Sequence, residues 1–247
     1  MMDRSAHGSQ TAKNGFQNED DIISKFNNWK TDVEAILWLQ TMGYQIDEIE
    51  FVKAVKIHGH KTDVQAQVTI KLKEAIDVQN MQVKLVSNKK GFNQIDKRWV
   101  DTYAQLWNMP AEISLLVKKY CGEVVPIIKV RDKRRMFADE FELHEQTQLL
   151  HWLNENKQLI INDILKGRGQ FAAEWFLVAQ KSTTNARWVL QPINICINHY
   201  SKGEIFITRK GNIRIAKVGM QRKGGDGGRH TANMLQFKLD PTDMFDI

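Results

Sequence analysis

The 247 residues are 42% hydrophobic and include seven tryptophans, which excludes a disordered chain and allows a sizeable core, as one large domain or two small ones. No apolar run approaches the about 18 residues that span a bilayer, the N-terminus MMDRSAHGSQTAKNG lacks the apolar core of a signal peptide, and Cys121 and Cys196 alone supply neither a disulfide framework nor zinc thiolates. The expected address is cytoplasmic, with no membrane partner. The net charge of +6 is uneven: nine Lys or Arg stand against Glu204 and Asp226 between Lys202 and Lys238, leaving the rest slightly acidic. Such a segment suits a phosphate-facing surface, and equally a solvated lysine-rich loop.

In chain order, residues 1–17 read as a flexible tail. Helical spacing follows at Ile22, Ile23, Phe26 and Trp29, and a second helix starts at Thr31 or Asp32, carries Val33, Ile36, Leu37 and Leu39, and stops near Gly43. The pattern then changes to period two. Phe51 to Ile57 is a strand, His58-Gly59-His60 a turn, Val64 to Leu72 a strictly alternating half-buried strand, and 76–86 a third strand closing a hairpin near Glu74. Helix is expected at 93–108 and again from Pro110 to Gly122, with Glu112 early and Lys118 and Lys119 late, as a helix dipole favours. Val124 to Val130 reads as a strand kept to an edge by Pro126. Residues 139–166 form one long amphipathic helical region. Strands follow at Trp175–Ala179 and Trp188–His199, then a hairpin, Ile205–Thr208 and Ile213–Val218, turning at Lys210-Gly211-Asn212. The class is mixed α/β.

Chemistry concentrates between residues 61 and 97. Gln82 and Lys84 lie two apart on a strand and share a face, while Val83 and Leu85 turn to the core. Asp63 heads the preceding strand on the face opposite Val64 and Ala66, so adjacent strands would gather three polar groups at one sheet end. A divalent cation needs hard oxygen ligands: Asp63 offers a charged one, Gln82 a carbonyl and Val83 its backbone carbonyl. Lys84 can orient or deprotonate a water, or stabilise phosphoryl charge. By pattern alone, an exposed hairpin with a lysine-rich rim accounts for these residues better than a site does. His58 and His60 lack a third zinc ligand, and GGDGG lacks the Gly-Lys-Ser/Thr of a nucleotide-binding loop.

Thr62-Asp63 with Gln82-Val83-Lys84 resembles the PD-(D/E)XK nuclease motif in the form some type II restriction endonucleases use, with an amide in the second acidic position, as in the MspI-like subgroup. The segment GMQRKGGDGGRHTANMLQFKLDP also resembles one recurrent in these enzymes, and over its whole length the chain is similar to the HinP-type endonucleases that cut GCGC. The resemblance implies a single restriction endonuclease domain over 1–247: a central mixed β-sheet flanked by helices, a catalytic core at about 18–130 and a β-rich DNA-recognition part at about 168–247. It also implies Mg2+ dependence and 5′-phosphate ends.

A four-base-pair target calls for dense contacts to double-stranded DNA. Gln221, Arg222, Lys223 and Arg229 bring donors, Asp226 can accept from cytosine N4, and the glycines between them permit close approach, unless the loop merely touches phosphate. Asn233 and Gln236 lie on the next strand or turn, with Phe237 turned to the core. After the catalytic strand, Lys89, Lys90 and Lys97 suit phosphates, Phe92 suits either a wedge between bases or a core ring, and Gln94 suits a base edge. The MspI-like precedent favours a monomer reading its site asymmetrically, and a palindromic site leaves a homodimer open. The competing readings are a non-catalytic sequence-specific DNA-binding protein and a structure-selective repair nuclease.

Overall fold

The computed structural model describes residues 17–57, 65–181 and 186–247. Most of the N-terminal tail, the turn at 58–60 and Asp63 therefore lie outside the described residues. The chain forms two compact units, one from residues of 1–93, 165–196 and 240–247, the other from 94–164 and 197–239. Both are mixed α/β, each with a five-stranded sheet.

In the first unit the described helix at 17–27 (α1) and α2 (Val33–Thr41) precede three strands, β1 (Ile49–Ile57), β2 (Gln65–Leu72) and β3 (Ile76–Val86). The Asp32 carboxylate accepts from Ala35 N at 3.0 Å and caps α2. The strands pair antiparallel, and β3 then pairs parallel with β5 (Trp175–Lys181), which pairs antiparallel with β6 (Ala186–Pro192), giving the order β1-β2-β3-β5-β6. One sheet face is apolar: Ala66, Val68 and Ile70 of β2 with Met81 and Val83 of β3 meet Ile22, Phe26, Trp38 and Leu39 of the helices. That pattern is what the period-two reading of β2 and β3 expects.

The second unit holds α3 (Val100–Trp107), α4 (Ala111–Cys121), α5 (Leu143–Glu155) and most of α6 (Lys157–Lys166), and a sheet of order β4-β10-β9-β8-β7. Its strands are β4 (Asn93–Arg98), β7 (Ile205–Ile207), β8 (Ile213–Ile215), β9 (Val218–Arg222) and β10 (Leu235–Leu239). Phe237 is fully buried, edge-on to Tyr103 and Trp107 at 5.4 and 5.8 Å.

Five expectations are corrected. Residues 93–98 are strand, not helix, because tertiary pairing beside β10 overrides local pattern: Asp96 and Arg98 are buried, with Arg98 3.4 Å from both Asp96 and Asp163. Val124 to Val130 forms no strand, and its Ile127 is wholly exposed. The 139–166 region is two helices broken at Asn156, whose Nδ2 donates to the Trp152 carbonyl at 2.9 Å. The strand expected to reach His199 ends at Pro192, and α7 (Ile193–Tyr200) follows, burying Ile193, Cys196 and Tyr200 at helical spacing. In the C-terminal hairpin, Ala216 takes a positive φ of 51°, so β8 ends at Ile215 and Val218 begins β9.

Among the described residues no helix is long and apolar enough to cross a membrane. Both cysteines are buried, and burial pushes their thiols up to about 12, which makes them inert packing groups. In the second unit the Tyr120 hydroxyl donates to the Met220 carbonyl at 2.7 Å and accepts from Ile213 N at 3.2 Å. Tyr120→Phe removes both of these buried hydrogen bonds, so the urea midpoint should fall by an amount equivalent to about 1–3 kcal/mol with the slope unchanged.

Candidate active site and nucleic-acid interface

The polar face of the first sheet is the reverse of the apolar face that packs on α1 and α2. Along β3 it presents Asn80, Gln82 and Lys84, all buried; β2 places Gln65 opposite Gln82, and β5 places Phe176 and Val178 beside Gln82 and Lys84. Val83 points the other way, into the core cluster, as the alternation requires.

Asn80 and Gln82 differ in one respect. Asn80 is satisfied: its Nδ2 donates to the Gln170 carbonyl at 2.9 Å, its Oδ1 accepts from Gln67 Nε2 at 3.2 Å, and its backbone N–H reaches Glu174 Oε2 at 3.2 Å. Gln82 is 0% exposed, and among the described residues neither its Oε1 nor its Nε2 has a hydrogen-bond partner. An interior carboxamide left bare is uncommon, because each unmade bond forfeits the desolvation of that atom. A carboxylate in the same setting would be costlier still. Lys84, 6% exposed, makes the pair a buried amide oxygen and a buried amine on one strand face. The donor set therefore fits a hard cation at one corner: a carbonyl-type oxygen is free to be taken, and it carries no charge to be desolvated.

After β3 the chain enters the loop 87–92. Lys89 and Lys90 are exposed, and Phe92 is 50% exposed, so its ring is not a core ring. In the second unit Lys97 is exposed on β4, and Gln94 accepts from Gln236 Nε2 at 2.7 Å. Gln236 is itself buried on β10 between Leu235 and the core ring Phe237.

The 221–236 candidates fall into two linked groups within the second unit. Arg222 donates from Nε and Nη2 to the single Asn233 Oδ1, at 3.2 and 2.7 Å. Its guanidinium is thus aimed by a neutral group and keeps its full charge for an outside acceptor. Burial, and then the nearby charges of Arg134 and Arg135, hold Arg222 below the usual arginine range, with Asp132 opposing. Asp226 is ion-paired to Lys223 and accepts from the Thr231 hydroxyl, and these two bonds hold its carboxyl below the usual range. Gly224, Gly225, Asp226, Gly227 and Gly228 all have positive φ, with open space where each glycine's Cβ would stand. The glycines there are required by the backbone, not by crowding. Gln221 and Arg229 flank these groups, half-buried and exposed respectively.

Sequence reasoning missed two features. The segment KVRDKRR at 129–135 carries five cations against Asp132, and only its first two residues were read, as the end of the 124–130 strand. In it Arg134 forks onto Asp132 at 2.9 and 3.0 Å, and Arg135 stacks over Phe137 at 4.0 Å. Its charge run was a legible signal. The second is Gln180, which holds the 87–92 loop from β5, and nothing in the local pattern marks it.

With this geometry in place, comparison with known proteins is specific. No curated protein gives a significant match. Among solved structures the fold is similar to that of the restriction endonuclease MspI in complex with its cognate DNA, with a TM-score of 0.64, 15% identity, and coverage of 96% of this chain and 93% of that one. At that identity the likeness is one of fold. The family model for the R.HinP1I restriction endonuclease matches residues 42–245, a span that includes both sheets and every residue placed above on β3, its loop and the C-terminal segment. The chain belongs to the R.HinP1I restriction endonuclease family, and as such is a sequence-specific type II site-specific deoxyribonuclease.

Proposed function

We propose that this enzyme cuts double-stranded DNA at GCGC in the presence of Mg2+, through a PD-(D/E)XK-type site of Asp63, Gln82 and Lys84, leaving 5′-phosphate ends. The observation that carries the reading is the fully buried carboxamide of Gln82, unpartnered among the described residues, two residues from the buried Lys84. Asp63, the Gln82 carbonyl and the Val83 backbone carbonyl are the groups that would hold the ion, with the scissile phosphate completing the set. Bound there, a divalent ion supplies Lewis-acid stabilisation of the charge on the phosphoryl oxygens, as restriction endonucleases of this kind generally use. Asp63 provides the negative charge that Gln82 withholds. Lys84 orients the attacking water and takes its proton, or donates to the phosphoryl oxygen as charge gathers there. The water oxygen adds to phosphorus as the bond to the 3′ oxygen breaks, giving a 3′-hydroxyl and a 5′-phosphate.

Recognition in this reading comes from the two loops. Gln221, Arg222, Lys223 and Arg229 serve guanine edges, and Asp226 serves cytosine N4, with Asn233 and Gln236 supporting them. Lys89, Lys90 and Lys97 meet phosphates, Phe92 enters a base step, and Gln94 reaches a base edge. The identity GCGC rests on the likeness of Asp63, Gln82-Val83-Lys84 and the 219–241 segment to HinP-type enzymes. The MspI structure holds its cognate DNA, which supports a DNA-bound state for this fold. In this reading a monomer in the cytoplasm reads the site; a homodimer is the alternative that sedimentation with DNA would reveal.

Incubation with a sequenced plasmid should give discrete ends at GCGC with Mg2+ and none with EDTA. Lys84→Ala should lower cleavage by roughly 10²–10³-fold while leaving the DNA gel shift in place; equal cutting by both proteins sinks the site. Gln82→Met should abolish cleavage yet raise the urea midpoint of the free protein, by the equivalent of about 1–3 kcal/mol, because it removes an unpartnered amide at similar volume. A lowered midpoint would mean that Gln82 has a protein partner in solution.

A further inference from the structure

The loop after β3 is tied down entirely within its own unit. Gln180 of β5 is 7% exposed, and its Nε2 donates to the carbonyls of Asn88 at 2.7 Å and Lys89 at 3.2 Å. The Gly91 N–H donates to Asp240 Oδ2 at 3.1 Å, and Asn93 Nδ2 reaches back to the Leu85 carbonyl at 2.7 Å. Strand register explains why Gln180 does this: it stands beside Val86, the last residue of β3, where the loop departs. Its other end is fixed as well. Arg187, opposite it on β6, donates from Nε to Gln180 Oε1 at 2.6 Å, and the Arg187 guanidinium lies 4.0 Å from the Phe245 ring. Arginine can only donate and the loop carbonyls can only accept, so the orientation of the amide is determined by its partners.

We infer that Gln180 is a positioning residue for DNA engagement: it holds the backbone at Asn88 and Lys89 so that Lys89, Lys90 and the exposed Phe92 ring are presented in one arrangement before DNA arrives. The inference rests on the reading that this loop meets DNA. A loop of six residues left loose would be ordered only on binding, and affinity would carry that entropy. Here two carbonyls, one N–H and one side chain are already fixed, and Lys89, Lys90 and the Phe92 ring are exposed.

The test uses Gln180→Glu, which keeps the shape and the Arg187 partner but turns an acceptor toward the two carbonyls. Gln180→Met removes the donor without burying a charge, and carries the test if the first variant does not fold. Trypsin reads the loop directly in DNA-free protein, because Lys89 and Lys90 lie within it. Faster cutting after Lys89 or Lys90, with roughly tenfold weaker binding of a cognate duplex in EDTA, is the expected result. Three outcomes overturn it: unchanged proteolysis with unchanged binding; faster proteolysis with unchanged binding, which makes the loop's order irrelevant to DNA; and weaker binding with unchanged proteolysis, which makes Gln180 a direct contact. Loss of cooperative unfolding in both variants also overturns it, by making Gln180 a core residue. A wild-type protein that yields no discrete plasmid ends removes the parent reading, and the proteolysis result stands apart from it.

Discussion

Parallel pairing of β3 with β5 is the constraint from which the rest of the molecule follows. Two antiparallel neighbours can be joined by a tight turn, but parallel ones require the chain to travel back the full length of the strand before it re-enters. In this chain the return is residues 87–174, and it carries α3 to α6 and the strand β4, which with the later strands β7 to β10 make most of a second α/β unit. The first stretch of that excursion is the lysine-bearing loop, which is why it starts from the end of the strand bearing Gln82 and Lys84. The same register that makes β3 and β5 parallel sets Gln180 beside Val86, where it can catch the departing backbone.

The sheet divides labour between its faces. One is an apolar layer under two helices, and it stabilises the unit; the other carries Asn80, Gln82, Lys84 and Gln180, buried beside Phe176 and Val178. Where those polar groups find partners, as Asn80 does, they pin the neighbouring strands and loops. Gln82 finds none among the described residues, and a buried amide in that state costs stability at a specific place.

What could be read in the sequence follows from which face each residue uses. β2 and β3 were legible because Ala66, Val68, Ile70, Met81 and Val83 bury on one side at period two, and the same alternation placed Gln82 and Lys84 together. Their near-complete burial was not legible, since polar residues on the far face read as solvent-facing. β4 was misread for the same reason: its interior positions are Asp96 and Arg98, and an ion pair in the interior leaves no apolar period to detect. α7 was misread because Ile193, Ile195 and Ile197 imitate a strand, while Ile193, Cys196 and Tyr200 are the residues that pack. Gln180 and Asp240 were invisible because the loop groups they hold are backbone groups, which no nearby motif marks. Asp63 belongs to a stretch outside the described residues, so its role rests on the motif alone.

The unbroken left-handed backbone from Gly224 to Gly228 has a consequence for redesign. At four of its five positions any side chain would be strained whatever it was meant to contact, and the fifth is an aspartate already committed to Lys223 and Thr231. The loop thus offers a designer almost no free letters. Attempts to give this scaffold a different target sequence would have to work through the residues at its two shoulders, from Gln221 to Lys223 and from Arg229 to Asn233, treating the glycine arch between them as a fixed piece of hardware.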